Sequence, residues 1–290
     1  FVYGNVEEGV PGCIANGISE EIANKIYDEM TDFAKYAFNK SHAAAYAVVS
    51  YQTAYLKYYY PVEFMAALMT SVVEMPNKVA EYISVCRQMG IQILPPDINR
   101  GMYGFSVDKG AIRYALSAIK SIGRPVIEGI VREREEHGEY TSLKTFVERN
   151  IDQINKRVVE NLIKAGALDC LEGNRKQKMF VYPQIIDSIN QDKKHSMAGQ
   201  MSLFDIVSEE DKKEFEIRMP QIAEYTNDVI LAFEKDVLGI YLSGHPLEQY
   251  RSMMEKMISA KTSDFQPDDE TGIPEVYDNQ KVIVGGMITD

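Results

Sequence analysis

Residues 118–125 have the composition of a turn that binds phosphate. They read Ala-Ile-Lys-Ser-Ile-Gly-Arg-Pro, with helical patterning on both sides. The pattern indicates a short helix, a turn with glycine and a second helix that proline opens. Such an arrangement brings backbone N–H groups together at a helix N-terminus. These groups favour a phosphate and do not read the base sequence. Lys120 and Arg124 add positive charge. An ordinary pair of helices joined by a glycine turn has the same pattern, and the residues alone leave both interpretations open.

This pattern matches the helix-hairpin-helix motif of DNA-binding proteins. A second, less regular copy is predicted at residues 158–169, and two copies are more specific than one. The chain has a formal net charge of −12, yet Lys and Arg outnumber Asp and Glu within residues 113–178. Phosphates of bound DNA are therefore expected in this middle segment. The predicted DNA contacts are Lys120, Ser121, Ile122, Gly123 and Arg124 in the first copy, and Lys164 and Gly166 in the second.

Two further groups of residues could bind partners. Residues 200–204 (Gln200, Met201, Ser202, Leu203 and Phe204) lie in a polar stretch, 191–221, that is predicted to be a linker. A Leu-Phe pair there is a candidate anchor for a partner's pocket, or else folds back locally as a small cluster. Asn39, Lys40, Ser41 and His42 stand at a predicted helix start, where triphosphate oxygens are favoured, although Ser41 could simply cap the helix.

Residues typical of catalysis or metal binding are not grouped in this sequence. The acidic runs at 209–211 and 268–270 fall in predicted loops, where no rigid scaffold would hold a pair of metal ions. His137, His195 and His245 have no ligand partner at a useful spacing. Cys13, Cys86 and Cys170 are far apart, which indicates neither disulfides nor zinc and favours a reducing, cytoplasmic setting. We therefore predict no catalytic residue, no metal site and no cofactor here, and no segment apolar enough to span a membrane.

Hydrophobic periodicity predicts a mainly helical chain. After the cap Ser19, apolar residues recur every three or four positions to Tyr36, and a hairpin is predicted where residues 104–107 and 111–114 flank Asp108-Lys109-Gly110. The β-rich end, 281–290, is expected to be one strand of a domain that continues beyond Asp290. The other predicted helices are residues 42–59, one from Pro61, one around 79–86 that stops at Gly90, segments within 115–171, 180–190, 227–242 and 247–257.

Several longer motifs, in this order, resemble the bacterial replicative DNA polymerases of family C, the DNA polymerase III alpha subunits. They are Phe-Asn-Lys-Ser-His at 38–42, Tyr-Gln-Thr at 51–53, Tyr-Pro-Val-Glu-Phe-Met-Ala-Ala at 60–67, Ile-Leu-Pro-Pro-Asp-Ile-Asn at 93–99, Leu-Ile-Lys-Ala-Gly-Ala-Leu-Asp at 162–169 and Leu-Gly-Ile-Tyr-Leu-Ser-Gly-His-Pro at 238–246. The resemblance covers nearly the whole chain.

The resemblance implies a domain order. Residues 1–75 would be the C-terminal part of the fingers domain, and 76–175 a tandem helix-hairpin-helix region with a small β-hairpin. Residues 176–280 would be a helical linker region with the partner peptide, and 281–290 the first strand of an OB-fold.

The resemblance also implies roles for the candidate residues. Asn39, Lys40 and His42 would lie near the incoming deoxynucleoside triphosphate, the first hairpin would hold primer-template duplex, and residues 200–204 would bind the sliding clamp (beta subunit) beside other replisome subunits. The family's catalytic carboxylates would lie upstream of Phe1. We therefore expect Mg²⁺ to serve the intact polymerase and this piece to be inactive alone. The alternative is a non-catalytic helix-hairpin-helix module of a repair protein, and a third hypothesis is a scaffold that only tethers the clamp.

Overall fold

The computed structural model describes residues 1–5, 7–36, 40–197, 217–267 and 272–287, without the side chains of 35, 36, 40 and 194–197. Asn39, the five residues 200–204 and both acidic runs lie outside these described residues. The chain divides into two compact units, Phe1–Pro61 and Val62–Asp290. Each unit is described separately below.

The first unit contains a small hairpin and two helices. β1 (Gly4–Asn5) pairs antiparallel with β2 (Val10–Pro11), and α1 (Glu20–Tyr36) and α2 (Lys40–Tyr59) follow. Ser19 caps α1 as predicted, because its hydroxyl accepts the Ile22 N–H at 3.4 Å. The apolar stripe that predicted this helix is nonetheless exposed, with Phe33 at 74%.

The second unit begins with two helices and a three-stranded sheet. α3 (Pro61–Ser71) and α4 (Pro76–Gln88) precede β3 (Ile93–Leu94), β4 (Ser106–Asp108) and β5 (Ala111–Arg113). The predicted hairpin is confirmed, with Lys109 and Gly110 at φ values of 53° and 81°, as a two-residue turn with both residues left-handed requires. The sequence did not predict β3, which runs parallel to β5 and gives the order β3-β5-β4.

Four helices then build the middle of the second unit: α5 (Arg124–His137), α6 (Leu143–Asn150), α7 (Lys156–Lys164) and α8 (Arg175–Met197). Ser142 and Asn155 cap α6 and α7, since their side chains accept the Thr145 and Val158 N–H groups. The predicted helix at 180–190 was too short. α8 continues through Pro183 and includes residues 191–197, which had been assigned to a linker.

The last described part of the unit is less regular. α9 (Asn227–Leu238) ends at Gly239, whose φ of 76° closes the helix, and a 3₁₀ turn (Glu248–Tyr250) leads into α10 (Arg251–Met257). Another 3₁₀ turn spans Thr262–Phe265. Residues 281–287 form no strand, although the Ser259 N–H donates to the Ile283 carbonyl at 3.0 Å. The fold is mainly α, as predicted, and the OB-fold assignment at 281–290 stays a prediction.

The core of the second unit runs through all of its middle helices. Fully buried members include Met69 on α3, Ile127 on α5, Phe146 on α6 and Val159 on α7, and the same cluster takes in Val237 and Leu238 from α9. Each such side chain stabilises the fold by about 1.5–3 kcal/mol relative to exposure. No helix among the described residues is both long and apolar enough to cross a membrane.

Candidate nucleic-acid interface

The predicted phosphate turn lies between a 3₁₀ turn (Leu116–Ala118) and the start of α5. Ile119 and Ile122 are buried and anchor the turn to the core, while Lys120, Ser121, Gly123 and Arg124 are exposed. The strained residue is not the glycine. Ser121 has φ of 64°, whereas Gly123 is extended, with φ of −73° and ψ of 152°.

Gly123 therefore has no conformational need to be glycine. A Cβ built on it would meet only the Pro125 Cδ, at 3.7 Å, which is ordinary contact. Its lack of a side chain instead leaves the backbone open to close approach from outside. This is what a turn needs if a phosphate is to reach its N–H groups.

The backbone N–H groups of this turn are notable because they contribute little to the internal hydrogen bonding of the described residues. Among the hydrogen bonds of the described residues, none is donated by the N–H groups of Ser121, Ile122, Gly123 or Arg124. The last of these opens α5, where the helix dipole adds positive potential. Free N–H groups at a helix start are the kind of group that favours an anion.

The two cations of the turn differ in their surroundings. Arg124 pairs with Glu128 at 2.7 Å, one turn along α5, and its guanidinium lies 4.8 Å from the centroid of the Tyr103 ring. That ion pair is exposed, at 67% and 45% for the two side chains, so it is weak and leaves the guanidinium reachable. The Lys120 side chain is exposed, while its backbone is fixed at both peptide groups.

The second predicted copy forms a helix, a turn and a helix as expected, but its charges are satisfied internally. The Lys164 ammonium lies 2.9 Å from Glu160 and 3.5 Å from Asp236, with the side chain 18% exposed. Gly166 has φ of 78°, and a Cβ there would fall 2.1 Å from an Arg175 nitrogen. This glycine is thus required by the fold, in contrast to Gly123.

An acidic side chain occupies the N-terminus of α8. The Glu224 carboxylate accepts the N–H groups of Arg175 and Lys176 at 2.8 and 3.1 Å, and that of Tyr225 at 2.8 Å. Burial alone would raise the pKa of Glu224, but these three hydrogen bonds outweigh it and lower the pKa. The second copy therefore already holds an anion of its own.

Comparison with known proteins gives this geometry a context. A family model described as a helix-hairpin-helix motif matches residues 90–178. DNA polymerase III subunit alpha of Vibrio cholerae is 41% identical over 258 residues, 88% of this chain and 22% of that protein. The protein of the same name from Escherichia coli K12 is 40% identical over 259 residues, with the same coverage. The chain is thus homologous to one segment of DNA polymerase III subunit alpha.

Thermus aquaticus DNA polymerase III subunit alpha is 39% identical over 290 residues, which is 98% of this chain and 22% of that protein. The chain spans about one fifth of the length of these relatives. Since the similarity to DNA polymerase III subunit alpha extends far beyond residues 90–178, it confirms the resemblance found in the longer motifs.

The residues expected near the nucleotide are described only in part. Lys40 begins α2, and Ser41 and His42 are exposed in its first turn. The His42 ring packs at 4.4 Å from that of Tyr46, one turn along the helix. The nucleotide role of this group, which the likeness to DNA polymerase III subunit alpha suggested, stays a prediction, as does the clamp role of residues 200–204.

One statement about the histidines was wrong. His137 does have partners: its ligand atoms and those of Glu133 and Glu136 all lie within 4.8 Å of one another. The signal was present in the sequence, because Glu133 and His137 are four residues apart and therefore neighbours on one face of α5. Glu133 also accepts a hydrogen bond from Arg149 at 3.0 Å, so one of the two carboxylates of the cluster is already paired within the protein. His245 has a structural role, accepting the Leu247 N–H at 3.2 Å.

Sequence reasoning missed three residues that support the two hairpins: Tyr103, Asn161 and Glu224. Asn161 and Glu224 bond to groups 41 and 49 residues away, so no local pattern signals them. Tyr103 supports Arg124 from a loop before β4. A polar residue on the apolar face of α7 was the one available hint for Asn161, which is buried at 8% exposure.

Proposed function

We propose that this chain is part of a DNA-directed DNA polymerase and grips duplex DNA, without base specificity, at the turn Lys120–Arg124. The observation that carries the proposal is the row of four unused backbone N–H groups at the start of α5, beside Lys120 and Arg124. Backbone donors and cations bind phosphates of any sequence. This fits a polymerase, which must hold every primer-template it copies.

The similarity to DNA polymerase III subunit alpha supports the polymerase over a separate repair module. A repair module built on this motif alone would share residues 90–178, whereas the similarity covers about nine tenths of the chain. We infer that the intact protein synthesises DNA in the cytoplasm, with deoxynucleoside triphosphates approaching Asn39, Lys40, Ser41 and His42, and with other replisome subunits as partners.

The DNA proposal is tested by Gly123→Ala. Because the fold accepts a Cβ at this position, the free energy of unfolding should change by less than about 0.5 kcal/mol. The methyl group would still obstruct a phosphate, so duplex affinity in a fluorescence-anisotropy titration should fall several-fold. Unchanged affinity in this variant would remove the turn from the interface.

Gly166→Ala and a double alanine variant complete this experiment. Gly166→Ala should unfold more easily, since its Cβ would overlap Arg175, but it leaves the turn Lys120–Arg124 unchanged. Lys120→Ala with Arg124→Ala should weaken duplex binding and reduce its salt dependence by roughly one unit of slope per lost phosphate contact. Indifference of the double variant would favour a scaffold that only tethers the clamp.

We further propose that residues 200–204 bind the sliding clamp, with Leu203 and Phe204 as apolar anchors. Two central anchors of a short peptide account for several kcal/mol of binding. Replacing both by alanine should abolish capture of the chain on immobilised clamp, while Met201→Ala should weaken it less. Capture that survives the double change would remove the assignment.

We also propose that the isolated chain is catalytically inert. Mg²⁺ in a polymerase is held by fixed carboxylates, and the cluster of Glu133, Glu136 and His137 does not fit that role, because Arg149 already neutralises Glu133. We derive no catalytic step from it. Nucleotide incorporation by this chain on primed template with Mg²⁺ would contradict the proposal.

A further inference from the structure

We infer that the second helix-hairpin-helix copy is not a second DNA contact but a brace that holds the first turn in its binding conformation, with Asn161 as the positioning residue. The inference rests on the proposed function of the turn Lys120–Arg124. It assigns different tasks to two copies that the sequence presents as equivalents.

The bracing contact is made to the backbone of Lys120. The Asn161 amide, buried on α7, donates to the Lys120 carbonyl at 2.7 Å. The Lys120 N–H in turn donates to the carbonyl of Val237, in the last turn of α9, at 2.9 Å. Both peptide groups of Lys120 are therefore fixed from other elements, just before the four unused donors begin.

Ser121 explains why such a hold is needed. Its left-handed conformation, at φ of 64°, is unfavourable for any residue with a side chain other than Asn or Asp. Without an external partner for the Lys120 carbonyl, the peptide between these two residues would be free to rotate into a more favoured conformation. The following N–H groups would then no longer converge.

In the second copy, both cations and the N–H groups that open the helix are bound to acids of the chain itself, whereas in the first copy only Arg124 is, through its exposed pair with Glu128. Lys164 is paired with Glu160 and Asp236, and Arg175 with Asp169 at 2.7 Å. The N–H groups that open α8 donate to Glu224. A phosphate approaching this copy would meet carboxylates in place of free donors.

The segment that carries Glu224 is bound at two more points, one just before α8 and one in its first turn. The Asn174 side chain donates to the Ile222 carbonyl at 2.9 Å, and Gln177 donates to the Pro220 carbonyl at 2.7 Å. A phosphate would therefore have to displace a docked segment as well as one carboxylate. The second copy is built to bind its own chain.

The first test compares two lysines at related positions of the two copies. Lys120→Met and Lys164→Met each remove one charge and keep the aliphatic length. We expect Lys120→Met to reduce the slope of log affinity against log salt for duplex DNA by roughly one unit, and Lys164→Met to leave the slope unchanged. An equal reduction in both variants would overturn the inference, and so would a steeper slope on Glu224→Gln.

The second test compares two buried asparagines. Asn161→Ala should lower duplex affinity several-fold and speed hydrogen exchange at the Lys120 amide, whose N–H donates to the Val237 carbonyl. Asn150→Ala is the matched control, because Asn150 is also buried, and its amide donates to the Tyr140 hydroxyl and the Phe146 carbonyl, far from the turn in sequence. It should lose stability without losing affinity under conditions where both variants are folded.

The results distinguish failure of the brace from failure of the proposed DNA contact at the turn Lys120–Arg124. If Gly123→Ala and Lys120→Met bind duplex like the parent chain, the turn itself is not the interface. If those two variants bind duplex more weakly, the turn is the DNA contact. If Asn161→Ala then matches Asn150→Ala in duplex affinity and in hydrogen exchange, the brace is refuted.

Discussion

Replacing Arg175 by Met would remove the buried cation that joins the second hairpin to α9. Its side chain is 8% exposed and reaches Asp169 at 2.7 Å, the Lys164 carbonyl at 3.2 Å and Glu234 at 3.7 Å. Methionine keeps most of the volume and none of the hydrogen bonds. The substitution therefore tests the ion pairs rather than the packing.

The size of the effect follows from the exposure of the two acids. Removing one partner of a buried ion pair costs about 3–5 kcal/mol. The Asp169 side chain is 47% exposed, so water can hydrate it once Arg175 is gone. The Glu234 side chain is only 2% exposed, but it keeps three hydrogen-bond donors: the N–H groups of Leu242 and Ser243 and the Ser243 hydroxyl. We therefore expect the lower end, about 3 kcal/mol, or a Tm decrease of about 6–12 °C for a unit of this size.

The assay is thermal and urea denaturation of the chain followed by circular dichroism, with Arg124→Met as control. Arg124 also pairs with a glutamate, but at the surface, so its loss should cost less than about 1 kcal/mol. Comparable losses in the two variants, or a loss below about 1 kcal/mol for Arg175→Met, would refute the reasoning about burial.

Two other substitutions test charged side chains elsewhere in the second unit. Lys178 is fully buried on α8 and donates to the Gly173 carbonyl. Among the described residues, no carboxylate lies within 4 Å of its ammonium. Burial lowers the pKa of Lys178. Lys178→Met should therefore change the free energy of unfolding by no more than about 1 kcal/mol in urea denaturation, or stabilise the chain, and a loss as large as that of Arg175→Met would contradict this. The hydrogen bond from Arg113 lowers the pKa of Asp108 below the roughly 3.9 of an unfolded chain, so its contribution is complete above about pH 4 and lost as the pH falls through the folded value. Denaturation of Asp108→Asn across pH should show a deficit at pH 7 that shrinks below about pH 4, and a constant deficit would count against the ion pair.

Much of the local structure could be predicted from the sequence because its causes are local. Ser19 caps α1, Gly90 follows α4, and Lys109-Gly110 forms the two-residue turn, each through contacts within a few residues. Periodicity failed where tertiary packing sets the length of an element, as at α8, which extends well past the predicted helix on both sides.

The candidate site shows the same division. The sequence by itself determined that residues 118–125 would form a charged turn ahead of a helix, and that a related copy would follow. Only the tertiary structure decided that the two copies differ, because Glu224 and Asn161 act on groups 49 and 41 residues away. Such contacts depend on how the chain closes long loops and packs its core, and no short pattern of residues records that.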